Sequence, residues 1–117
     1  MKTLIKSVAV LGLLFSSIAM AHEGIEIESS VPADNAMLME SPSELAVSFS
    51  KEVRLIKVVL KNQQGDEVDF DFTPPKEAAA HFSWSLPKLS PAHYQVELII
   101  LGADGHKMKE SFSFMVH

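Results

Sequence analysis

The chain has 117 residues, 47% of them hydrophobic, with 10 basic and 15 acidic side chains and no cysteine. Its formal net charge of −5 argues against nucleic acid or anionic lipid as a partner, because their phosphates attract a basic surface. Disulfides and thiolate metal sites are excluded, so any metal must be held by imidazole, carboxylate, amine or thioether groups.

The first element belongs to export rather than to a fold. Lys2 and Lys6 give a positive start, Val8 to Ala19 is largely apolar, and Ala19-Met20-Ala21 sets small residues at the −3 and −1 positions of a cleavage site. That build predicts a secretory signal peptide over residues 1–21; the apolar run is shorter than the roughly 20 residues that a membrane-spanning helix needs. An uncleaved N-terminal anchor is the alternative. Cleavage after Ala21 leaves residues 22–117 as one domain with no membrane-inserting segment, and makes His22 the new N-terminus. Eight basic and 15 acidic residues then remain, a net charge of −7.

The mature chain reads as short alternating strands between turn signals. Ile25–Ser29 is a brief first run, followed by loop chemistry at Val31–Asn35 and a break at Ser41-Pro42-Ser43. Leu45, Val47 and Phe49 alternate with smaller or polar residues, and Val53–Lys61 is a β-branched run that stops at Asn62-Gln63-Gln64-Gly65. Val68, Phe70 and Phe72 alternate with Asp69 and Asp71, and Pro74-Pro75 ends that run. Phe82, Trp84 and Leu86 form the next set, with Trp84 expected in the core. Tyr94, Val96, Leu98 and Ile100 form the longest, and Phe112, Phe114 and Val116 finish the chain. About seven strands at roughly 8–12-residue spacing predict an all-β sandwich or barrel and no βαβ unit.

Two features carry chemistry. A histidine at position one offers its α-amine and its own Nδ1, which together close a chelate ring on a metal ion; His22 would be that residue. In the turn Asp104-Gly105-His106, the spacing of two brings Asp104 and His106 out on one face of an extended chain. If that face meets the N-terminus, the donors are three nitrogens and one carboxylate oxygen. A nitrogen–oxygen set without sulfur suits Cu(II), which also heads the divalent affinity order. Asp-Gly is equally an ordinary hairpin pair, and in isolation the triplet reads as a turn with an exposed histidine.

Along nearly its whole length the mature chain resembles the CopC family of periplasmic copper-binding proteins. The resemblance rests on His22, Ser30-Val31-Pro32-Ala33-Asp34, Leu45-Ala46-Val47-Ser48-Phe49-Ser50, Leu86-Pro87-Lys88-Leu89, Tyr94-Gln95-Val96, Ala103-Asp104-Gly105-His106 and Ser111-Phe112-Ser113-Phe114, in that order. It implies an immunoglobulin-like Greek-key sandwich over residues 22–117, with one Cu(II) held by His22, Asp104 and His106. It further implies a periplasmic carrier or buffer for copper homeostasis and resistance, which hands copper to an inner-membrane importer or sequesters it. No catalysis is expected, and a monomer is. Three departures touch the expected site: Lys51, followed by Glu52, stands where many members have an acid, Leu98 where many have Trp, and Gly102 where many have Ser.

Some members add a methionine-rich loop for Cu(I). The 70–81 segment, where such a loop is expected, contains no methionine, so Cu(II) alone is expected. Met115 reads as packing. The spacing of two sets Met37 and Met39 on one side, either as a thioether pair or, more simply, as apolar filling. His81, His93 and His117 read as solvated. Two other functions compete: a metal-free secreted interaction module, and a copper oxidative enzyme, which one Trp and one Tyr hardly equip with an aromatic carbohydrate platform.

Overall fold

The computed structural model describes residues 24–117. Apolar–polar alternation builds six strands in chain order: β1 (Ile27–Val31), β2 (Ala36–Leu38), β3 (Glu44–Asn62), β4 (Ala79–Ser85), β5 (Ala92–Leu101) and β6 (Lys107–Val116). Among the described residues no helix is long and apolar enough to cross a membrane.

The fold is an all-β sandwich whose two layers share β3. The first half of β3 pairs antiparallel with β1 on one side and β4 on the other. From Arg54 onward it pairs antiparallel with β5, β5 pairs antiparallel with β6, and β2 lies parallel to β6. The inward residues of both layers, including Leu45, Val47 and Phe82 from one and Leu60, Leu98 and Phe114 from the other, form one core. Tyr94 closes its end by donating its hydroxyl to the Ser90 carbonyl at 2.5 Å, which satisfies the polar tip of a buried ring.

Two of the expected strands are therefore one. The runs at 45–49 and 53–61 belong to a single 19-residue strand that shifts register against β4 between Ser48 and Val53 and passes to the second layer from Arg54. A bulge at Ile56 lets it stay in phase with the core, since Leu55 pairs with Ile100 but Lys57 pairs with Ile99. The inward set accordingly switches from Val53 and Leu55 to Val58 and Leu60, and Ile56 is left 38% exposed.

The expected strand at Val68–Phe72 does not form; an isolated bridge between Lys61 and Glu67 is all that ties this stretch to β3 by pairing. Asp71 takes a positive φ of 61°, and its N–H donates to Asp69 Oδ1 at 2.9 Å, a side-chain turn incompatible with continued extension. Phe70 and Phe72 still pack inward, each edge-on to Trp84 with ring centroids 6.1 and 5.7 Å away. Trp84 is half-buried in that aromatic cluster, where it also stacks on Phe82.

Candidate metal centre

The Asp104-Gly105-His106 turn is the tip of the β5–β6 hairpin. The ladder ends at the Leu101–Lys107 pair, and the Gly102 N–H donates to the His106 carbonyl at 3.0 Å to close the loop. Gly105, with φ of 84°, occupies the left-handed position that a β-carbon disfavours, and its N–H donates to the Gly102 carbonyl at 2.9 Å.

Within this loop Asp104 grips His106 twice. Its Oδ1 accepts the His106 backbone N–H at 3.0 Å, and its Oδ2 lies 2.7 Å from His106 Nδ1. These two bonds, the backbone one first, hold the Asp104 carboxyl below its ordinary value of 3.8, so it is ionised at neutral pH. An ionised carboxylate only accepts, so in the neutral imidazole the ring proton sits on Nδ1 and Nε2 is the unprotonated nitrogen. The His106 side chain is 73% exposed and that of Asp104 is 41% exposed.

The start of the described chain is fastened next to this tip. Ser50 Oγ donates to the Gly24 carbonyl at 2.8 Å and accepts the Glu26 N–H at 3.0 Å, while the Ser50 N–H donates to the Glu26 carbonyl at 2.9 Å. Between those anchors Ile25 is buried against Gly102: a β-carbon on Gly102 would lie 2.9 Å from Ile25 Cδ1 and 3.2 Å from Asp104 Oδ1. The absence of a side chain at position 102 is thus what admits Ile25. A pocket of about 180 Å³ remains, lined by Ile25, Lys51, Glu52, Ala103 and Asp104. Lys51 and Glu52 both line it.

The structure brings together Asp104 and His106 and the segment that follows His22. His22 itself lies outside the described residues, as does the expected signal peptide. Among the described residues no three His, Asp or Glu side chains form a group able to hold a metal, so Asp104 and His106 are at most part of a site. His81 sits on β4, exposed, with Nδ1 2.8 Å from Ser48 Oγ, and His93 and His117 are exposed at the far end of the sandwich. Sequence reasoning misses Ser50, the residue that fastens the N-terminal segment. A lone serine within an extended run carries no signal until its three hydrogen bonds are seen.

The family model for the CopC domain matches residues 27–117. The chain belongs to the CopC family. The structure is similar to that of CopC from Methylosinus trichosporium OB3b, with a TM-score of 0.67 and 18% identity over 79% of this chain and 92% of that one. It is also similar to PcoC, a methionine-rich copper resistance protein from Escherichia coli, with a TM-score of 0.63 and 18% identity over 80% of this chain and 98% of PcoC. Comparison with curated protein sequences gives no match. The matched span begins just after the Gly24–Glu26 segment fastened to Ser50, so the CopC domain and the described sandwich nearly coincide.

Proposed function

We propose that this CopC protein binds one Cu(II) through the His22 amine and imidazole, Asp104 and His106, and acts in the periplasm as a non-catalytic copper carrier or buffer. The observation that supports it most is the fastening of residues 24–26 to Ser50 and Gly102. It delivers the chain to the Asp104 wall with one residue, Glu23, between the anchored Gly24 and His22. Two residue steps reach up to about 7 Å, enough to bring an N-terminal amine and imidazole to the hairpin tip. Cleavage after Ala21 is then part of the site's chemistry, because an amide nitrogen at position 22 is a far poorer donor than a free amine.

The Asp104–His106 pair fits its role. Asp104 orients the imidazole through Nδ1, so that in the neutral ring Nε2 is the unprotonated nitrogen a metal ligand uses, and its ionised carboxylate suits a cation. Three neutral nitrogens and one carboxylate suit Cu(II), and the acidic surface of the mature chain favours a cation. Membership of the CopC family, and the likeness to a copper resistance protein, point to copper as cargo. Copper then passes on to an inner-membrane importer or is held in store.

The deciding experiment is Cu(II) titration of the chain processed at His22, followed by electron paramagnetic resonance. One equivalent should give a tetragonal signal with nitrogen hyperfine structure. A form with one extra residue before His22 should bind weaker by orders of magnitude. Equal affinity of the two forms would place the copper elsewhere. Binding no tighter than that of free amino acids would favour a metal-free interaction module, and reductant- and oxygen-dependent polysaccharide cleavage an oxidative enzyme.

A further inference from the structure

The outer face of the β3–β5–β6 layer carries a charge opposite to that of the chain, and the strand register is what gathers it. Leu55, Val58, Leu98, Ile100 and Met108 pack on the core side, so alternation turns their neighbours outward. In the row nearest the hairpin tip Arg54 and Lys107 flank Leu101, and in the next row Lys57 and Lys109 flank Ile99. Further along, Val59 and Ser111 flank Glu97, and Lys61 pairs with Gln95. Met37 and Met39, 65% and 79% exposed and so no filling of the interior, lie toward the far end of the sandwich, away from these rows.

Five of the eight basic residues of the mature chain thus stand on one face, in rows that hold a single acid, Glu97, of its fifteen. Glu97 is taken by Lys61, whose Nζ lies 3.5 Å from Oε1. Among the described residues Arg54, Lys57, Lys107 and Lys109 have no ion-pair partner. Strands about 4.8 Å apart and alternate residues about 7 Å apart set these four cations within about 12 Å of one another. At a Debye length of about 8 Å their fields overlap, so an approaching anion meets one positive surface. The net charge of −7 hides this surface, because the acids lie elsewhere on the molecule.

The floor between the cations is apolar. Ile99 and Leu101 are half-buried there, and Ile56 at the bulge is 38% exposed beside Lys57. An apolar centre inside a charged rim is the anatomy of a protein interface. A bilayer surface would call for apolar side chains that stand out far enough to enter it, which residues sunk between two flanking strands do not. We propose that this face docks an acidic protein surface, that of the partner with which copper is exchanged. The link to copper rests on the Cu(II) reading above; the charge complementarity does not. The Leu101–Lys107 pair is the last rung before the hairpin tip, so a partner seated here borders Asp104 and His106. The face measures roughly 20 by 15 Å, less than the roughly 800 Å² per partner of a stable complex, so the contact is brief, as the handing over of cargo requires.

The test is titration of the copper-free exported chain, labelled with ¹⁵N, with poly-L-glutamate and, separately, with vesicles of equal parts phosphatidylcholine and phosphatidylglycerol. Poly-L-glutamate should move the amide signals of Lys57, Ile99, Leu101 and Lys109, leave those of β1 and β4 in place, and be released by added salt. The double variant Lys57→Thr, Lys109→Thr should bind it roughly three- to tenfold more weakly, the range expected for two exposed charge pairs. Threonine suits exposed strand positions, so the variant keeps its fold, and its Cu(II) affinity should equal the parent's. Because the titrated chain holds no copper, this result stands or falls apart from the Cu(II) site. Signal changes spread over the whole molecule, or undiminished affinity in the double variant, would overturn the docking face. Tighter binding to the vesicles than to poly-L-glutamate would make it a membrane surface instead. In the exporting cell the double variant should lower copper tolerance while binding Cu(II) normally; parent-like tolerance would overturn copper exchange as the purpose of docking.

Discussion

At the residue scale, position 102 shows how one missing side chain shapes the site. Ile25 Cδ1 already occupies the space a β-carbon at 102 would need, and that atom belongs to the segment carrying His22 toward the tip. Gly102→Ser should destabilise the fold by about 1–3 kcal/mol, the usual cost of overpacking. It should also weaken Cu(II) binding, because Ile25 and Asp104 are both displaced. Denaturant melts and Cu(II) titration on the same samples check both halves; parent-like copper affinity in a destabilised variant would uncouple Ile25 from the site. Asp104 sets the pH behaviour. Its carboxyl is held below 3.8, so the stabilisation from its ionised form is present above that value and fades only as pH falls through the lower, folded-state value. Throughout the range where imidazoles titrate, near 6.5, Asp104 stays charged, and loss of Cu(II) on acidification should track imidazole and amine protonation. A binding profile flat between pH 5 and 8 would remove the histidines from the ligand set.

At the element scale, the segment 24–26 behaves as a latch closed by a single hydroxyl. Ser50 Oγ makes two of its three hydrogen bonds and the backbone of Ser50 the third. Ser50→Ala should therefore leave the core intact and cost about 1–2 kcal/mol. It should release the latch enough to raise amide exchange at Ile25 and Glu26 and to weaken Cu(II) binding; unchanged exchange at both would show that Ile25 burial alone holds the segment. Alternating runs make β4, β5 and β6 readable from sequence, since a half-buried strand must alternate. The same signal misreads Val68–Phe72, because alternation reports which side chains pack inward and says nothing of whether the backbone finds a ladder. Asp69 and Asp71 turn that stretch away from its neighbours while its aromatic rings keep their contacts. The bulge at Ile56 is hidden because Leu55-Ile56 and Val58-Val59-Leu60 set apolar residues side by side, so the sequence does not say which of them face inward. Asp104 and His106 are legible because a spacing of two in a hairpin tip is local. The fastening of Gly24 and Glu26 to Ser50 is not, because it exists only once residues 24 and more apart in sequence have been brought together.

At the scale of the whole molecule, the proposed Cu(II) site ties the beginning of the mature chain to a hairpin tip near its end, so copper should stabilise the fold by linkage. A ligand that binds only the folded state at 100 times its Kd adds about 2.7 kcal/mol. Here the gain must be smaller than the total binding energy. The amine–imidazole chelate of His22 needs no folded partner and persists in the unfolded chain, where it binds copper too. Only the share contributed by Asp104 and His106 is lost on unfolding, and only that share raises the melting temperature. For a domain of this size each kcal/mol is worth roughly 4–8 °C. The processed chain should therefore melt several degrees higher with one equivalent of Cu(II). His106→Ala should lose most of that shift while still binding copper measurably through its N-terminus, whereas a form extended before His22 should lose both the shift and the tight binding. If His106→Ala retained the full shift, the folded-state ligands would have to lie elsewhere on the sandwich, and the hairpin tip would be a turn and nothing more.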